Sequence, residues 1–159
     1  MHDEIVALAT RLAQIERRLA GMLRHGTVHE VDARSGTVRL RVGGSDAEPV
    51  LSPAVPYAQT AGALKVHAPP SVGQQMTIVA PTGDPRQGVA LPMTWSQTNP
   101  SPSDKSDENV VTFGDARFEL RQGELIVKVP RILIECEGST LELTGAGLKM
   151  RAPEYQFDT

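Results

Sequence analysis

The sequence predicts a mainly β protein with one N-terminal helix, a small closed barrel and a C-terminal ladder of short strands. Three observations carry this. A 3-4 spacing of apolar residues is confined to the first 22 positions. The next seventy or so residues read as short alternating segments cut by Gly and Pro. After residue 109, doublets of the form apolar–x–apolar recur on a seven-residue step.

The helix is assigned to residues 1–25. Ile5, Leu8, Leu12, Ile15, Leu19 and Met22 make a narrow a/d seam rather than a broad apolar stripe. Asp3 is placed to cap its start, and Gly26 after Leu-Arg-His to stop it in the left-handed conformation. Two partners fit such a seam. One is the core of the chain's own domain. The other is helices of other chains, for which three heptads are marginal without help from the rest of an assembly.

Residues 26–95 read as an all-β barrel or sandwich. Val28 and Val31, an Arg-Ser-Gly turn, and then Val38, Leu40 and Val42 alternating with Arg39 and Arg41 describe a hairpin. Further short strands are expected around "SPAVPYAQ", "GALKVHAP", "GQQMTIVAP" and "GVALPMTW". About five strands closing on themselves is the size of an OB-fold. Tyr57 and Trp95 are expected as core or seam aromatics.

Residues 96–109, "SQTNPSPSDKSDEN", form a polar linker or an extended crossover. Residues 110–159 hold the doublets Val111/Phe113, Phe118/Leu120, Leu125/Val127, Ile132/Ile134, Leu141/Leu143, Leu148/Met150 and Tyr155/Phe157. The step from Ile132 to Leu141 is nine residues, where Cys136 extends the doublet to a triplet. A 2-5 spacing punctuated by Gly and Pro is a strand pattern, not a heptad. A strand with two inward side chains covers little, and no helix or further sheet remains here to cover seven of them. The economical solution is an intertwined trimeric β-helix, a β-prism whose centre the doublets fill; a monomeric β-solenoid is the single-chain alternative. Glu119, Arg121, Lys128, Glu135, Glu142, Lys149 and Arg151 then face water.

Composition and motifs exclude several functions. Residues 104–159 carry seven bases against eleven acids, a balance of −4 that disfavours DNA. One cysteine excludes an intrachain disulfide and fits a reducing compartment. No apolar run is long enough to span a membrane, and "MHDEIVALA" lacks the order of a signal peptide, so synthesis in the cytosol is expected. His2, His25, His29 and His67 do not cluster as metal ligands, and Cys136 falls in phase with Ile132 and Ile134, as a core thiol does. "GAG" at 145–147 precedes no helix, and the turn residues around Asp84 explain it without catalysis. No catalytic residue, metal site or cofactor is expected.

The order of helix, barrel with "PPSVGQQMTIVAPTGDPRQGVALP", linker and short-strand repeat resembles phage baseplate assembly protein V. That family is the central spike of contractile phage tails and related injection particles. The resemblance covers essentially the whole chain, and its most specific stretch runs from Pro70 to Gly88. It implies a homotrimer in the virion tail baseplate, assembled in the bacterial cytoplasm. It also implies OB domains docked on a baseplate hub protein and a prism that meets the host outer membrane on contraction. Many members end in a His-x-His iron site. None follows here, so a bare or blunt tip, or a separate spike-tip protein, is expected. Two other functions compete. An OB-fold nucleic-acid-binding protein with an oligomerising β tail would use Arg34, Arg39 and Arg41, but interleaved aromatics are missing. A trimeric glycan-binding fibre would use carboxylates such as Glu135 and Glu137, which show no cleft.

Overall fold

The computed structural model describes residues 2–155. The chain divides into two compact units, residues 1–100 and 101–159, so the division falls inside the expected linker.

In the first unit, helix α1 (His2–Met22) is followed by strand β1 (Leu23–Asp32) with no intervening loop. Gly26 therefore does not stop the helix. It lies within β1, opposite Met76, because cross-strand pairing captures the backbone from Leu23 onward. Asp3 sits inside the first helical turn rather than at the cap. Strands β2 (Thr37–Gly44), β3 (Pro49–Leu51), β4 (Val55–Pro56), β5 (Gln75–Val79) and β6 (Val89–Pro92) complete the unit.

The sheet order is β3-β2-β1-β5-β6, with β4 pairing β2 on its other flank. Tyr57, one residue beyond β4, bridges Ala90 of β6 in parallel, and the Ala58 N–H donates to the Ala90 carbonyl at 2.9 Å. Those contacts close the ring β1-β2-β4-β6-β5, the five-stranded closure of an OB-type barrel. Register slips by one residue between Val28 and Glu30, a bulge that lets Val28 and Val31, three apart, both turn toward the core. The interior is small: Val28, Val38, Leu40, Val55, Tyr57, Met76, Ile78, Ala80 and Ala90. The buried Ser52 hydroxyl accepts from Leu40 N–H at 2.9 Å and donates to the Pro53 carbonyl at 2.8 Å.

Two expectations fail here. "GALKVHAP" forms no strand beyond a single Ala61–Lys65 bridge; Gln59 instead ties the loop by two hydrogen bonds to the Ala68 backbone. The core alternative for Trp95 is the other: it is 64 % exposed, and the ring closes through Tyr57.

The second unit is two antiparallel meanders. One is β7 (Asn109–Phe113), β8 (Ala116–Arg121) and β9 (Glu124–Lys128). The other is β10 (Arg131–Cys136), β11 (Ser139–Thr144) and β12 (Gly147–Arg151). Two-residue turns join the strands within each meander, as at Glu137-Gly138, where both residues have positive φ. A five-residue strand plus such a turn makes seven residues, which is the period of the doublets. The step lengthens to nine where two six-residue strands, β10 and β11, follow one another. Pro130, with no N–H to donate, sits at the break between the meanders.

Candidate functional site

The ladder's register gathers the doublets into rows. Val111, Phe118 and Val127 stand abreast in the first meander, as do Leu120 and Leu125. Ile132, Leu143 and Leu148 stand abreast in the second, as do Ile134, Leu141 and Met150. Strand alternation puts each meander's doublet residues on one face. Among the described residues this face stays largely open: Phe113 is 88 % exposed and Leu125 63 %, while Ile132 and Leu141 are half-buried. Cys136 follows in phase, opposite Ser139, and is exposed in the single chain. Tyr155 lies past β12 rather than on a further strand, and its hydroxyl donates back to the Met150 carbonyl at 3.0 Å. Phe157 lies outside the described residues.

The opposite face of the first meander departs from expectation. Glu119 does not face water; it is 1 % exposed. Residues 102–108, part of the stretch expected as a polar linker or extended crossover, belong to the same unit and tie onto this face. Glu119 accepts from Arg117 Nε at 2.6 Å, from Arg121 Nη2 at 2.6 Å and from Lys128 Nζ at 3.1 Å. Arg121 Nε also donates to Glu108 at 3.0 Å, Ser103 Oγ donates to Glu108 at 2.6 Å, and Arg117 Nη1 donates to the Pro102 carbonyl at 3.0 Å. The hydrogen bonds from Arg117 and Lys128 hold the Glu119 carboxyl at about 2, well below its ordinary 4.5. The Ser103 hydroxyl lowers Glu108 in the same direction. On the second meander Arg131 pairs with Glu142 at 2.6 Å and lowers it likewise.

The helix carries the second open apolar surface. Asp3 through Ala20 are all exposed, including Ile5, Leu8 (69 %), Leu12, Ile15 and Leu19; Met22 is half-buried. The seam does not lie on the chain's own core. Instead, the barrel grips only the helix end, where Met22 accepts a hydrogen bond from Ala80 N–H at 2.8 Å. Gly21 and Gly83 meet backbone to backbone there, and a Cβ on Gly83 would fall 2.6 Å from the Arg18 carbonyl oxygen.

The specific stretch from Pro70 to Gly88 is explained by this framework. Met76 and Ile78 are core, Gly83 meets the helix, and Asp84 caps the short 3-10 turn Pro85–Gln87 by accepting from Arg86 N–H at 3.0 Å. A Cβ on Gly88 would lie 2.6 Å from Ile78 Cγ2.

One cleft of about 630 Å³, lined by Tyr57, Gln59, Val66, Pro69, Gln74 and Met76 among others, holds no carboxylate, imidazole or thiol. Among the described residues no group of three His, Cys, Asp or Glu side chains is placed to hold a metal. His25 Nδ1 lies 2.7 Å from Thr77 Oγ1. In the first hairpin Arg39 faces Glu30 at 3.8 Å and Arg41 pairs with Asp46, so its basic strand is locally neutralised.

Residues 24–95, from β1 to just beyond β6, match the model of the type VI secretion system/phage-baseplate injector OB domain. The chain is also 29 % identical over 138 residues to the spike protein of Escherichia phage P2, covering 87 % of this chain and 56 % of that protein. Both matches support a baseplate spike protein. The chain spans about half the length of the P2 spike protein. In this chain, the doublet face and helix seam are both foreshadowed by apolar spacing. The Glu108–Glu119 cluster is not, because alternation alone assigns Glu119 to solvent. One signal was present: three basic residues, Arg117, Arg121 and Lys128, share the Glu119 face of two adjacent strands.

Proposed function

We propose that this chain is the central spike of a contractile-tail baseplate, acting as a homotrimer attached to the baseplate hub and piercing the host outer envelope on contraction. In this reading residues 110–159 are the shaft, 26–95 the hub-side OB domain, 96–109 the connection and 1–25 the helix. The role is mechanical and asks for no cofactor, catalytic group or nucleic acid.

One observation carries the reading: within each meander the doublet residues stand in register on one face that is largely exposed in the single chain. Leu, Ile, Val and Phe gain roughly 1.5–3 kcal/mol each, gross, when buried. The two meanders of one chain leave their doublets exposed, so the cover must come from other chains. Three copies around an axis give each doublet row two equivalent neighbours, and the closed ladder leaves a dry, stiff shaft. The P2 likeness extends over most of the chain, beyond the OB domain alone, which supports the same assignment.

Light scattering on the purified chain tests it. The expected mass is near three times 17.1 kDa. A stable 17.1 kDa species at micromolar concentration overturns the shaft and the spike reading with it.

A further inference from the structure

The open seam of α1 has a charge pair set beside it. With Ile5 at position a, Leu12 and Leu19 are also a, Arg11 is g and Glu16 is e. In a parallel, in-register coiled coil, a g residue lies beside the e residue five positions on in the neighbouring helix. Arg11 and Glu16 are five apart and opposite in sign. Within their own helix they have no such use. Every residue three or four positions from either is Ala, Leu, Ile or Gln, so neither has an intrahelical charge partner. Among the described residues neither forms an ion pair in the single chain. The barrel meets the helix at Arg18, Gly21 and Met22 and leaves Ile5, Leu8, Leu12, Ile15 and Leu19 of the a/d stripe exposed. The heptads do not fix the strand number: Ile5 at a with Leu8 at d is the two-stranded order, and Leu12 at a with Ile15 at d the order of three or four.

We infer that the seam is occupied by α1 of the other copies, as a parallel, in-register three-stranded coiled coil keyed by Arg11 of one copy against Glu16 of the next. The number three rests on the trimeric reading above; orientation and register rest on the helix alone. Three heptads are short for independent stability, and the barrel's grip on the helix end supplies a fixed start for the bundle.

Two full-length variants, Arg11→Cys and Glu16→Cys, each with Cys136→Ser and a different tag, are co-expressed and treated with a short bis-maleimide linker. The expected product joins the two tags. Arg11→Cys joined instead to itself indicates another helix arrangement and overturns the inference. No cross-link in a protein of trimeric mass also overturns it and leaves the spike trimer standing, whereas a monomeric mass removes the trimer itself. Charge exchange gives an independent reading by the helical melting signal. Arg11→Glu lowers the midpoint, and adding Glu16→Arg returns it to that of the parent protein; a double exchange no better than the single one overturns the pairing.

Discussion

Arg117 donates from Nε to Glu119 Oε1 at 2.6 Å, two positions along the same strand, and the carboxylate it grips is almost fully enclosed. The enclosure comes from side chains on β8 and β9 together with residues 102–108. Glu108 and the Pro102 carbonyl occupy donors of Arg121 and Arg117 that Glu119 leaves over. One buried acid thus organises three bases and ties the segment before β7 to the first meander. A lone buried charge would be costly, but here Arg117, Arg121 and Lys128 compensate it.

Acid should loosen this cluster in a defined window. The folded Glu119 carboxyl sits at about 2 against an ordinary 4.5, so its contribution is fully present above 4.5 and is lost as pH falls toward 2. Glu119→Gln removes that dependence and leaves Arg117, Arg121 and Lys128 crowded without their shared anion. The expected result is a lower melting midpoint than for Glu124→Gln, together with a flatter stability profile between pH 4.5 and 2. Equal midpoints for the two variants would show that the cluster contributes nothing. Thermal melts followed by circular dichroism across that range decide it.

Gly88→Ala tests the barrel closure. The new methyl would lie 2.6 Å from Ile78 Cγ2 and 3.0 Å from the Val79 carbonyl oxygen, both held in the β5–β6 pairing. Overpacking of this kind costs about 1–3 kcal/mol. Gly62→Ala, with no atom within 4 Å of the new methyl, is the matched control and is expected to shift stability by less than about 0.5 kcal/mol. Denaturant midpoints of the two variants supply the comparison.

Glu137 is the one described non-glycine residue with positive φ, at +31°, and it precedes Gly138 in the β10–β11 turn. A two-residue hairpin turn of this hand favours Asn-Gly. Glu137→Asn keeps the turn and relieves the left-handed backbone, and is expected to stabilise by up to about 1 kcal/mol. Glu137→Val is expected to destabilise, since a β-branched side chain tolerates this conformation poorly. Unfolding midpoints that rank Val above Asn would mean the turn adopts another geometry.

What the sequence makes legible follows a physical division. Period-two doublets and the 3-4 seam reflect local backbone geometry, so Ile132/Ile134 and Ile5/Leu8 are readable before any fold is known. Features that depend on long-range pairing are not. Gly26 looks like a helix stop, but Met76, fifty residues on, draws it into a ladder. Trp95 looks like core, but Tyr57 closes the barrel in its place. Glu119 looks solvated because alternation says which face it occupies and cannot say that residues 102–108 return to that face. Val110 and Ile126, flanking Glu119 on the same side, belong to this hidden layer and fall outside the doublet pattern.

The phase of the shaft can be tested one residue at a time. Ile134 stands abreast of Leu141 and Met150 on the open apolar face, whereas Glu135, opposite Thr140, points the other way. In the proposed trimer, three copies of Ile134 meet near the axis. Ile134→Asp would bring three carboxylates together in a dry interior, where each isolated charge costs several kcal/mol to desolvate and their repulsion adds to that. The expected outcome is loss of trimer at neutral pH by light scattering. Glu135→Ala removes an exposed carboxylate and is expected to change stability by no more than about 0.5 kcal/mol. If Glu135→Ala dissociates the protein while Ile134→Asp assembles normally, the face turned toward the other chains is the polar one, and the doublets must be buried by something other than the trimer axis.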